Sequence, residues 1–179
     1  MTVRGVLHVH SAPPALSPHV EWAVAGVLGV PVSMPWVSQP AAPGMVRAEL
    51  EWQGQPGLAG KITSALAGWN RLRFEATEEA SPGCDALRFS YTPALGVFSA
   101  VTMGNGDILV PENRLRAAMT VAAAPSGVAR LAHGGADRDA ASALEEELSR
   151  LLGEPWDCEL EPFRCAADGA PVRWLHATG

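Results

Sequence analysis

The sequence predicts an α+β fold, and three observations predict it. Residues 3–77 divide into two similar units, "VRGVLHVHSAPPALSPHVEWAVAGVLGVPVSMPW" and "VRAELEWQGQPGLAGKITSALAGWNRLRFEATE". Each opens on a Val-Arg strand, turns through a proline-containing loop, runs a helix and returns in a strand. The strands alternate apolar and polar residues, so one sheet face is core and the other is polar. After residue 85 the pattern changes to a hairpin followed by helices. Two successive units of this length make the β-α-β-β-α-β order of a ferredoxin-like core, here with an added β-hairpin and C-terminal helices.

Strands are expected at about 3–10, 30–37, 45–53 and 71–77 of the sequence. In 45–53, Val46, Ala48, Leu50 and Trp52 alternate with Arg47, Glu49 and Glu51; in 71–77, Leu72, Phe74 and Ala76 alternate with Arg71, Arg73 and Glu75. Strand one should lie between strands three and four, with strands one and three running parallel. In the helices, Val20, Ala23, Val24, Val27 and Leu28, and then Leu58, Ile62, Ala65, Leu66 and Trp69, form apolar stripes. Ser17-Pro18 reads as an N-cap before a first-turn proline, and Pro56 takes the same first-turn place in the second helix.

The second half continues with strands at about 86–91 and 95–103, a "GNGD" turn and a short strand at 108–110. A helix from Pro111 to about 122 should turn Leu115, Ala118, Met119 and Ala122 inward. Residues 124–138 are Gly/Ala-rich without periodicity and read as a loop. A charged amphipathic helix at 139–152 stops at Gly153, and a last helix starts through Pro155. Trp174 and Leu175 in the tail should dock on the domain. No linker interrupts the chain, so residues 1–179 read as one domain: a core at 3–77, a hairpin-and-helix extension at 85–122, and helices with a docked tail at 139–179.

Composition narrows the function. Net charge is −6 and Lys61 is the only lysine, which argues against nucleic acid and against a polybasic membrane patch. No segment is apolar over a membrane-spanning length, and Cys84, Cys158 and Cys165 are odd in number and lack metal spacing. They read as free thiols of a cytoplasmic protein.

The stretch "VLHVHS" raises the question of chemistry. His8 and His10 share the polar sheet face with Arg47, Glu49, Glu51, Arg71 and Arg73 on the neighbouring strands. Two imidazoles at i, i+2 on a strand aim the same way and could hold a divalent metal, with His19 as a third ligand if residues 11–18 fold back. The motif resembles the opening of metal-dependent phosphoesterases and amidohydrolases. Those families need a large barrel and further His and Asp ligands, whereas only His133 and His176 remain here and "SAPPAL" follows the pair. The favoured reading gives the pair no metal, no cofactor and no catalytic role, and leaves it covered by the C-terminal segments. "GQPGLAG" resembles the strand-loop-helix of small-molecule-sensing ACT domains, although Gln55 stands where an Asp commonly precedes the proline. Ser11 and Ser17 lack an arranged base.

The stretches "RGVLHVHSAPPALSPHVEWAVAGVLG", "ITSALAGWNRLRFEATEE", "GDILVPENRLRAAM", "LLGEPWDCELEPFR" and "APVRWLH" resemble an actinobacterial family of unknown function, domain of unknown function 3145. That resemblance implies a neighbourhood of type II fatty-acid synthesis and an accessory protein that meets an acidic acyl carrier protein through arginines. Arg71, Arg73, Arg114 and Arg116 are the candidate partner-binding residues. The sequence thus favours a cytoplasmic, non-catalytic interaction or regulatory module over a small metal-dependent hydrolase or a ligand-sensing domain.

Overall fold

The first strand, β1 (Val3–Ala12), is the axis of the molecule, with β3 (Val46–Gly54) on one side and β4 (Arg73–Glu78) on the other. The computed structural model describes residues 2–123 and 140–165. The remaining strands are β2 (Val37–Ser38), β5 (Ala86–Thr92), β6 (Gly96–Thr102) and β7 (Ile108–Leu109). They form a seven-stranded sheet in the order β2-β3-β1-β4-β5-β6-β7, and every neighbouring pair is antiparallel.

The parallel pairing expected of strands one and three is therefore corrected. β1 pairs β3 antiparallel, from Val3 opposite Gly54 to Ala12 opposite Val46. The cause is the short connection after β2: a strand that turns straight back beside β2 must run against it, and so against β1. The expected strand at 30–37 also shrinks to Val37–Ser38. Pro31 and Pro35 interrupt it, since proline supplies no ladder donor.

Helices α1 (Ser17–Leu28) and α2 (Leu58–Leu66) cover one face of the sheet. Val20 and Val24 of α1 and Leu58, Ala59, Ile62 and Leu66 of α2 pack on Leu7, Val9, Trp52, Phe74 and Tyr91. Gly5 allows this closeness: a β-carbon there would lie 2.1 Å from the Trp52 ring and 2.3 Å from the Thr77 carbonyl oxygen.

Both helix starts differ from their sequence reading. Ser17 lies inside α1, which is entered through a 3-10 turn (Pro14–Leu16), and no side-chain cap is made. At α2 the residue before the helix is Gly57, in the left-handed conformation that glycine tolerates. The orphan N–H groups there are satisfied from outside: Gly57 N donates to Glu78 Oε1 at 2.7 Å and Ala59 N to Glu78 Oε2 at 3.0 Å.

Three further helices follow: α3 (Glu112–Ala122), α4 (Ala140–Leu152) and α5 (Glu154–Cys165). α3 and α4 pack on each other. Ala118 and Ala122 are buried there, but Met119 is 62% and Leu115 37% exposed, against the inward placement expected for both. The apolar stripe of α3 is wider than one facing helix covers. α5 lies on the sheet face opposite α1 and α2, against β1 and β5. Trp156 packs at a tilt against Phe98 and donates to the Gly96 carbonyl at 3.0 Å, and Leu160 is fully buried. The loop expected at 124–138 and the docking of Trp174 and Leu175 lie outside the described residues.

Candidate polar centre beneath the last helix

A β-bulge creates the centre. β1 is in step with its neighbours as far as Val9, which faces Ala48 and Phe74; beyond it Ser11 faces Arg73 and Ala12 faces Val46. One extra residue is therefore inserted. The regular alternation puts His8 on the polar face, and the bulge keeps both His10 and Ser11 there. His10 and Ser11 are 6% and 1% exposed, on the polar face that the sequence leaves to C-terminal segments to cover. α5 covers them.

Glu75 of β4 is the hub. Its Oε2 receives His10 Nε2 at 2.7 Å and Arg164 Nε at 2.9 Å. Its Oε1 receives Arg164 Nη2 at 2.6 Å, Arg88 Nη2 at 3.1 Å and Ser90 Oγ at 3.2 Å. Asp157 on α5 then accepts from both Arg164, at 2.7 Å, and Arg88. Two carboxylates and two guanidinium groups thus neutralise one another under α5. Burial alone would push the Glu75 carboxyl up, but the hydrogen bonds and charges of His10 and Arg164 outweigh it and hold it well below the usual range. Arg164 is likewise drawn down by burial and lifted further by Glu75 and Asp157, so it stays charged.

The flanks tie the helix down further. Arg73 pairs with Glu159 at 3.1 Å and lies over the Phe163 ring, 4.9 Å from its centre. Gln39 donates to the carbonyls of His10, at 2.6 Å, and Phe163, at 3.2 Å. His8 and His10 stack with ring centres 6.0 Å apart, and His8 Nδ1 lies 3.3 Å from Glu49 Oε2. Burial is the main cause that lowers the His8 pKa, helped by the charges of His10 and Arg164 and opposed by Glu49 and Glu75.

The residues singled out in the sequence separate in the fold. His8, His10, Arg47, Glu49 and Arg73 share the polar face around β1. Glu51 is exposed at the other end of the same face, beside Arg4 and Glu79, where the sheet forms an open depression of about 300 Å³. Arg71 is exposed ahead of β4, with Nη2 3.9 Å from Met45 Sδ. Arg114 and Arg116 lie on α3, which follows the far edge strand β7, and Arg116 is paired with Glu112. Of the candidate partner-binding arginines, Arg73 and Arg116 are therefore already paired, and Arg71 and Arg114 lie on different parts of the chain.

His19 is exposed on α1, across the sheet from His8 and His10, so it cannot complete a metal set with them. Among the described residues no three His, Cys, Asp or Glu side chains are grouped to hold a metal ion. The helix N-terminus that would receive a ligand's carboxylate in an ACT-like site already holds that of Glu78. Cys84 and Cys158 are exposed and free.

Comparison with known families adds one decisive observation. A family model described as a protein of unknown function, DUF3145, matches residues 6–177. The chain belongs to the DUF3145 family. No curated protein and no solved structure matches it. Both the bulged His8–Ser11 stretch of β1 and the helix α5 that seals it lie within the residues matched by the DUF3145 model.

The DUF3145 sequence also carries signals for further residues of the centre. Arg88 and Ser90 alternate with Leu87, Phe89 and Tyr91 along β5, which puts both on the polar face. Asp157, Leu160 and Arg164 recur at i, i+3, i+7, one face of α5.

Proposed function

We propose that this protein is a non-catalytic interaction module of the cytoplasm, built on a ferredoxin-like core. One observation carries the reading: Glu75, the best-placed carboxylate for acid–base or metal chemistry, has both oxygens committed to His10, Ser90, Arg88 and Arg164 under a packed helix. A group so engaged has little capacity left for a substrate or an ion. The strand order β2-β3-β1-β4, with two helices on one face, supports the ferredoxin-like description. That no described helix is long and apolar enough to cross a membrane agrees with a protein that works in solution.

The partner we favour is an acidic protein, with the acyl carrier protein of an actinobacterial type II fatty-acid synthesis system as the first candidate. Arg71 and Arg114 are exposed, no carboxylate partner of either is seen among the described residues, and each suits a separate point of contact with an acidic protein. Titrating purified acyl carrier protein into the full chain tests this by calorimetry. Binding that weakens with salt and is lost in Arg71→Glu or Arg114→Glu supports the reading. Absence of binding contradicts the choice of partner, and phosphoester or amide hydrolysis that disappears in His10→Ala contradicts the non-catalytic assignment.

A further inference from the structure

Between Arg4 and Arg47 the chain carries a single formally charged side chain, Glu21. This region includes α1, whose outer face is open to solvent. Its inner face buries Val20 and Val24, and Trp22, set on the opposite side, is 79% exposed. Pro18, His19 and Gly26 surround it and are exposed as well. The solvent face of a helix ordinarily carries charged residues. Here it presents a tryptophan among small and neutral groups.

The one charge is drawn aside. Glu21 Oε1 accepts from Met34 N at 2.7 Å and from Trp36 Nε1 at 2.9 Å. These bonds hold the segment after α1 against the helix, with Val30 and Val37 exposed, so the apolar surface is fixed in place before anything meets it. Interface centres are depleted of charge and enriched in tryptophan, the composition of this face.

We infer that α1 is the self-association face of this protein, on which a second copy packs about a two-fold axis. Two arguments favour a copy over another partner. A two-fold interface sets each patch against itself, so any charge on it would meet its own like. For a chain of net charge −6, the uncharged face is where two copies approach at least electrostatic cost. The second argument is shape. Trp22 and Gly26 are four residues apart and so neighbours on the helix, and a β-carbon built at Gly26 meets nothing within 4 Å. A ring beside open space is self-complementary: across a two-fold axis that passes between Trp22 and Gly26 on the outer face, Trp22 of one copy covers Gly26 of the other.

The inference rests on α1 and is independent of the polar centre under α5. Sedimentation of the full, untagged chain over a range of concentrations tests it, with Trp22→Ala and Gly26→Glu alongside. The expected result is a reversible dimer whose dissociation constant does not rise with salt. Trp22→Ala should weaken it by at least about thirty-fold, the loss typical of an interface anchor. Gly26→Glu should give a monomer, with the circular dichroism of both variants unchanged. A wild-type chain that stays monomeric at about 100 μM, a range in which even a modest dimer forms, would overturn the inference. So would a dimer that both variants leave intact, or one that raised salt dissociates, because charged groups elsewhere would then hold it.

Discussion

Arg164, on the last helix, closes a two-point fork on Glu75 of the fourth strand, with Nε at 2.9 Å from one carboxylate oxygen and Nη2 at 2.6 Å from the other. Planar guanidinium and planar carboxylate match in this geometry, which makes it both strong and directional. The pair joins segments 89 residues apart and sets the angle at which α5 crosses the sheet. Removing Asp157 leaves both arginines of the centre short of an acceptor. Asp157→Ala should lower stability by about 1–3 kcal/mol, the cost of uncompensated polar groups, as read from the urea midpoint at unchanged m-value.

Stability should fall with acid in two stages. Burial lowers the His8 pKa from 6.5, so below that value the unfolded chain binds a proton that the native chain resists. The stability that His8 contributes is therefore present above 6.5 and declines as pH falls toward its native pKa. The Glu75 carboxyl is held well below 4.5, so its contribution is present above 4.5 and is lost as pH falls toward its own native value. Urea midpoints measured from pH 8 downward check both. His8→Gln should flatten the upper decline and Glu75→Gln the lower one. A stability that rises on acidification would contradict both assignments.

Two glycines should respond in opposite ways to the same substitution. Gly26 sits inside α1 with open space around its missing β-carbon, so Gly26→Ala should stabilise the monomer by roughly 1 kcal/mol. Gly153 lies between α4 and α5 at φ +80, and a β-carbon there would stand 2.7 Å from the Phe98 ring. Backbone strain of about 1–2 kcal/mol and the clash both oppose Gly153→Ala, and its thermal midpoint should drop. Equal shifts in the two variants would mean that α5 is not seated on Phe98 as described.

Most of this architecture was legible in the sequence because a half-buried strand writes its faces into alternate residues. Arg47-Glu49-Glu51 on β3 and His8-His10 on β1 were assigned to the polar face on that ground alone. Strand direction is carried by chain order and not by alternation: a strand that turns straight back from β2 must run against β1, and β3 does so instead of running with it. The bulge at His10–Ser11 left only a weak signal, two consecutive polar residues at the point where the sequence predicts the strand to end. The helix cap from Glu78, which lies 19 residues from the Ala59 N–H that it receives, left none. Contacts set by tertiary placement leave no local spacing to read.

The helix α5 should be indispensable. Leu160 is fully buried and Trp156 is packed on Phe98, and burial of such side chains is worth roughly 1.5–3 kcal/mol each. Its loss would also expose His10, Ser11, Glu75 and Arg88 together. Deleting residues 154–179 should leave the protein insoluble or lower its melting temperature by tens of degrees. A truncated chain melting within a degree or two of the full one would make α5 an independent appendage.

The central claim is that the buried polar centre holds α5 to the sheet. The most direct measurement is a double-mutant cycle on Glu75 and Arg164, using Glu75→Gln, Arg164→Met and the two combined, each followed by urea unfolding at neutral pH. Each single change should cost about 3–5 kcal/mol, because it strands a buried charge. The double variant should cost clearly less than their sum, with a coupling of about 1–3 kcal/mol. Additive losses, or a Glu75→Gln variant as stable as the wild type, would contradict the account.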